Sequence, residues 1–240
     1  MGAMAEAWTW LTTATHWAGE NGAGHRLSEH LFLTAVCLGL ACAVALPVAL
    51  WLGHIGRGGA LAVNLSNAGR AVPTFAVLVL LTLTPLGRYG DVPTIIALVL
   101  FAVPPLLTNA YVGMREADRD VVEAARGMGM SGLQLLVRVE LPLAFALIMT
   151  GVRSAAVQVV ATATLAALPG GGGLGRIITA GFNTYDTPQV VAGAILVAAL
   201  ALLVEALLAL GQWLFDPMRR RRTAAPAKAV DTTTRWRVDA

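Results

Sequence analysis

Residues 115–142 read READRDVVEAARGMGMSGLQLLVRVELP, the one long polar segment in an otherwise apolar chain. The segment holds four arginines (Arg115, Arg119, Arg126, Arg138) and five acids (Glu116, Asp118, Asp120, Glu123, Glu140). Asp120 with Glu123, and Ser131 with Gln134, have the spacing of capping boxes, where side chain and backbone bond reciprocally at a helix start. The pattern predicts two short helices, with Gly127 and Gly129 breaking the chain between them. Leu133, Leu136 and Val137 share a stripe on the second helix. Two short helices bent at a glycine, one with an apolar stripe, make a docking surface for a partner.

On both sides of this segment the chain is too apolar for water. Of 240 residues, 57% are hydrophobic and 13% charged, against roughly 25% charged in an ordinary soluble domain. A soluble enzyme, a disordered chain and a collagen-like chain are excluded. Five stretches reach the ~20 apolar residues that a membrane-crossing helix needs. They are Leu31 to Leu52 with Pro47, Ala60 to Leu86 with Arg70 and Pro73, Val92 to Met114 with Pro104 and Pro105, Leu141 to Leu168 with Arg153, and Val190 to Phe215 with Glu205. The expected fold is an all-α polytopic membrane helix bundle of about five transmembrane helices. Residues 28–216 form its transmembrane domain, and the loop at 115–142 is its polar projection.

Residues 1–27 carry Trp8, Trp10 and Trp17 with Glu6 and Glu20. They lack the basic start and small-residue cleavage site of a signal peptide, and tryptophan favours the headgroup zone, so an external interfacial segment is expected. Arginine and lysine counts orient the bundle. One side receives Arg57, Arg70, the four arginines of the polar loop, Arg219 to Arg222, Lys228, Arg235 and Arg237, thirteen in all; the other receives only Arg26, Arg88 and Arg176. The N-terminus is expected outside, and the polar loop and the basic tail, residues 217–240, in the cytoplasm of a bacterial plasma membrane. The tail has no helical period and reads as disordered.

Some chemistry is excluded residue by residue. Cys37 and Cys42 lie five apart within one apolar run, which fits no redox or zinc pattern. His16, His25, His30 and His54 form no metal-binding pair. Neither a metal nor a nucleic-acid partner is expected. Gly170, Gly172 and Gly175 satisfy the spacing of a dinucleotide loop, but no strand precedes them, and such a site needs a βαβ unit. Lys228, the one lysine, sits in a Pro/Ala-rich tail, so the chain offers no phosphate-cradling lysine loop.

With these residues in view a resemblance becomes specific. Glu123-Ala124-Ala125, three residues, Gly129, nine residues, Val139, one residue, then Leu141-Pro142 resembles the EAA loop of ABC importer permeases, with Val in place of the usual Ile. The stretches AVPTFAVLVLL, PPLLTNAYVGM, GVRSAAVQVVATATLAA and GGGGLGRIITAGF are similar to the osmoprotectant subgroup, the permeases for glycine betaine, carnitine, choline and related quaternary amines. This likeness runs from about Leu31 to Leu210.

The resemblance implies that the loop is a coupling helix seated in a cleft of a cytoplasmic ATPase. Ala124 and Ala125 would allow close approach, Gly129 would bend the chain, and Glu123 would cap or pair with a charge. Leu141 and Pro142 would lead into the fourth span, with Pro142 at the first helical position. It also implies separate partners: ABC ATPase subunits carrying ATP and Mg, a second permease subunit (identical or related), and an extracytoplasmic substrate-binding protein. The chain itself would bind no cofactor and perform no covalent chemistry.

Arg153 and Glu205 are the charges deep inside expected spans, each costing roughly 2.5–3.5 kcal/mol on insertion scales. Each lies eleven residues from a span's cytoplasmic end, or about 16 Å at helical rise, so they are expected to pair or to line one wet interior. Thr74, Thr108, Asn109, Gln158, Thr162 and Thr164 are the remaining candidates for a translocation pathway. The same residue types also join membrane helices simply by hydrogen bonding. Two functional alternatives stay open. A methionine-type amino-acid importer shares the loop and the fold, whereas an ion-driven secondary transporter would call for mid-membrane acids and an inverted repeat.

Overall fold

The computed structural model describes residues 2–59, 64, 66, 68, 69 and 71–218, and every regular element among them is helical. The uncharged run beginning at Leu31 lies inside α2 (Ala23–Ile55), which ends at Gly56 in the left-handed conformation. Along α2 the buried residues Cys37, Ala41, Ala45, Ala49 and Gly53 recur every four positions, a small-residue stripe on one helix face. Against it packs α4 (Val92–Arg115). A Cβ on Gly53 would stand 2.4 Å from the Met114 Cβ, so the crossing requires glycine. Lipid supplies no hydrophobic drive between helices, so this close backbone approach is what holds the pair.

The other face of α4 receives α6 (Gly132–Ala167). A Cβ on Gly151 of α6 would come within 2.8 Å of the Asn109 Cβ. Leu98, Leu106, Leu107, Ala155 and Val159 complete the core shared by α2, α4 and α6. The last long helix, α8 (Thr187–Phe215), starts at Asp186, whose side chain accepts the Gln189 N–H, and packs on α6 and on α7 (Gly175–Thr184). Along α8 lies α1 (Ala3–Thr12), with Ala7 buried and Trp10 joining the cluster of Leu196, Val197 and Leu200.

Among the described residues four helices, α2, α4, α6 and α8, are long and apolar enough to cross a membrane. The second expected span is represented by α3 (Thr74–Leu83). Its ten residues rise about 15 Å, half of a ~30 Å hydrocarbon core. The rest of that span at 60–63, 65, 67 and 70, and the tail at 219–240, lie outside the described residues.

The polar segment differs from expectation in two details. First, α5 (Arg119–Gly127) is capped by Asp118, whose Oδ1 accepts the Asp120 N–H at 3.0 Å. Two acids two residues apart can both cap, and the helix starts from the earlier one. Second, the expected second short helix is the beginning of α6. Ser131 and Gln134 form the capping box, with bonds of 3.4 and 2.9 Å. The helix then runs through a π turn at Leu136–Glu140 straight into Leu141–Ala163. Pro142, lacking an N–H, therefore does not restart the helix. The wider turn before it absorbs the hydrogen bond that proline removes.

Candidate functional site

Two places collect the residues singled out by sequence. The first is the projection made by α5 and the start of α6. Val122, Ala125 and Leu135 are buried in a small core with Ala117, and Met130, Val139 and Leu143 pack on it. This core fixes α5 against the end of the bundle. Glu123, Ala124 and Arg126 are left exposed, as are Val121, Met128 and Leu133. Gly129 turns the chain with φ +84°, a conformation glycine adopts without the Cβ clash other residues suffer. Leu141 and Pro142 are half-buried at the base, on α6.

Beneath the projection lies a contact with no signal in the sequence. Glu140, only 2% exposed, occupies the free position between Val139 and Leu141 and sits in the π turn. Its Oε2 is 2.6 Å from Nδ1 of His54, at the end of α2. A carboxylate out of water needs such a partner. The pair ties α2 to the segment that carries α5, across 86 positions of sequence.

The second place is a groove of about 550 Å³ on α6, lined by Thr150, Arg153, Ser154, Val157, Gln158 and Ala161, with Glu205 entering from α8. Arg153 and Glu205 are paired. Arg153 Nε and Nη2 both donate to Glu205 Oε1, the former at 2.9 Å. Arg153 Nη1 donates to Gln212 Oε1 at 2.9 Å, and Gln212 Nε2 donates back to the Ala146 carbonyl at 3.4 Å. Gln212 was not singled out by sequence, yet it stands seven residues beyond Glu205, two turns along the same helix face. The Arg153 and Glu205 side chains keep 31% and 32% of their surface exposed, so this pair is open.

The remaining pathway candidates lie elsewhere. Thr108 donates to Ser66 Oγ, which donates to the Pro104 carbonyl, and Asn109 donates to the Pro105 carbonyl of its own helix. Thr162 and Thr164 bond backward to carbonyls of α6. Thr74 begins α3, beside Pro73.

At the opposite end of the bundle from α5, the run Gly170–Gly175 is no anion cradle. Glu29 of α2 already places its own carboxylate there, accepting the Gly173 N–H at 2.9 Å. Beside it the buried His30 accepts the Leu174 N–H at Nδ1 and, through Nε2, donates to the Val160 carbonyl at 3.0 Å. The turn is thereby pinned to α2 and to the end of α6. Among the described residues no group of His, Cys, Asp and Glu is placed to hold a metal ion.

Residues 36–221 match the family described as binding-protein-dependent transport system inner membrane component. A carnitine transport permease of Listeria monocytogenes is 39% identical over 186 residues, 76% of this chain and 84% of its own. A glycine betaine/carnitine/choline transport system permease of Bacillus subtilis is 34% identical, with 77% and 84% covered. A choline transport system permease of the same organism is 32% identical, with 82% and 90% covered. Among solved structures, a chain of the MetNI methionine ABC transporter, inward facing, superposes with a TM-score of 0.69. It is 22% identical, and the match covers 79% of this chain and 94% of that one.

Proposed function

Because the chain belongs to the family of binding-protein-dependent transport system inner membrane components, we propose that it is the translocating subunit of an osmoprotectant importer. The solutes are glycine betaine, carnitine, choline or related quaternary amines, the substrates named for its relatives. As in the family, hydrolysis of ATP, with its Mg, belongs to a separate ATPase subunit, and a binding protein delivers the solute. The chain itself is not an enzyme. Likeness to the methionine transporter extends to the fold alone and carries no substrate.

The observation that carries the mechanism is the exposed face of α5, with Glu123, Ala124 and Met128 outward on a helix whose opposite face is locked to the bundle. We place this face in the cytoplasm, following the arginine count, and assign it to the ATPase. Residues 1–27 then stand at the outer surface and the basic tail inside. A second permease subunit, identical or related, closes the pathway. Among the candidates, Arg153, Gln158 and Glu205 border the route, because charges at that depth face a cavity or another protein chain. Thr108, Asn109 and Thr162 spend their hydrogen bonds within the bundle. Movement of the ATPases displaces α5, and the capped start of α6 carries that displacement into the groove.

Uptake of labelled glycine betaine by cells holding the chain with its ATPase and binding protein tests this. Glu123→Lys is expected to reduce uptake more than about tenfold, a contact-scale loss of ~1.4 kcal/mol or more. Full uptake by that variant would remove the coupling role of α5. Competition by methionine, and not by choline or carnitine, would reassign the substrate.

A further inference from the structure

We infer that the Arg153–Glu205 pair is a binding station for zwitterionic solute, at which the pair opens and each member takes the opposite end of the solute. The solute carboxylate replaces Glu205 on the guanidinium, and its quaternary ammonium lies against the freed Glu205 carboxylate. This rests on the importer reading above and adds the residues that sort solutes by charge.

Four observations support it. First, the two side chains are the ionic lining of the groove, and about a third of each remains exposed to it. Solute in the groove reaches both. Second, Arg153 presents its Nε–Nη2 edge to Glu205. That edge is the planar fork that matches a carboxylate in two parallel bonds. An incoming carboxylate can take that fork in place of Glu205. Third, Gln212 holds Arg153 Nη1 while itself anchored to the Ala146 carbonyl. The guanidinium stays aimed into the groove when Glu205 lets go. Fourth, no aromatic ring lines the groove. Tight capture of a quaternary ammonium uses aromatic faces, so the ammonium is met here by charge alone, a weak hold suited to passage.

Charge balance explains why a zwitterion fits. A closed pair is neutral, and exchange with a zwitterion makes two new neutral pairs. A lone cation would pair with Glu205 and leave Arg153 without a carboxylate, losing the charge-assisted bonds that a zwitterion restores. The station therefore favours betaines over choline, which has no carboxylate.

The test uses the complete importer in membrane vesicles, measuring initial uptake of glycine betaine and of choline side by side. Arg153→Gln is expected to lower the betaine-to-choline ratio by about tenfold or more, because the charge-assisted bonds to the solute carboxylate are lost. Arg153→Lys, which keeps the charge, recovers much of the ratio. Arg153→Gln combined with Glu205→Gln lowers uptake of both solutes, and retained ATPase in the purified complex confirms that this variant folds and assembles. An unchanged ratio in Arg153→Gln, or equal loss of both solutes in it, would overturn the station. Absence of quaternary-amine uptake by the unaltered importer would instead sink the importer reading and this proposal with it.

Discussion

The molecule joins α6 to its neighbours through two charge pairs of opposite character. At the α5 end His54 meets Glu140 at 2.6 Å with the carboxylate side chain only 3% exposed. Some 13 residues along the same helix, Arg153 meets Glu205 with both side chains about a third exposed. Burial decides what each can do. A buried carboxylate has no water to replace its partner, and removing that partner costs about 3–5 kcal/mol. An open pair competes with water and solute, and exposed pairs contribute about 1 kcal/mol or less. The first is a joint and the second is an exchangeable contact, although both read simply as an acid beside a base.

The largest effect expected from this contrast is at the joint. His54→Leu leaves the buried Glu140 carboxylate without a partner and is expected to destabilise the protein by about 3 kcal/mol, lowering the melting temperature of the purified complex. His54→Leu with Glu140→Leu should recover most of that loss, because the stranded charge is gone. If the double variant is as unstable as the single one, the joint is not held by charge.

Smaller changes sharpen the picture around it. Gly129→Ala forces a side chain into the left-handed turn, at about 1–2 kcal/mol. Its effect should fall on uptake and ATPase binding together, since the turn aims α5. Ser131→Ala removes one half of the capping box and is expected to cost about 1 kcal/mol, readable as faster hydrogen exchange over residues 132–135. The smallest stability change belongs to the open pair, where Arg153→Gln should shift the melting temperature by the equivalent of less than about 1 kcal/mol. A large fall there would make it a second joint.

Legibility in the sequence followed the range of the interactions. The capping box at Ser131 and the turn at Gly129 are local, and both are present in the structure. Arg153 and Glu205 lie 52 residues apart, yet charges in apolar spans are scarce enough to suggest each other as partners. His54 and Glu140 offered no such scarcity, since each stands at the edge of an expected span, where charged residues are common. Only the packing of α2 on the base of α6 makes them neighbours. The continuity of α6 was hidden for a different reason. A capping box followed by a proline reads as a short helix and a restart, and a π turn has no residue signature that reveals the run-through. The second expected span was more legible, since Pro73 stands before the described ten-residue helix and Pro85 just after it.

The unbroken α6 has a mechanical consequence. At 36 residues it is a rod of about 54 Å, longer than the ~30 Å hydrocarbon slab, so one end lies beside α5 while its middle borders the groove. A pivot at the π turn stands about 20 Å from Arg153 by helical rise. A tilt of about 10° there sweeps the guanidinium through about 3–4 Å, more than the reach of a hydrogen bond. A modest swing of the rod is then enough to unfasten Arg153 from Glu205, so a tilt that starts at α5 also opens the pair to its solute.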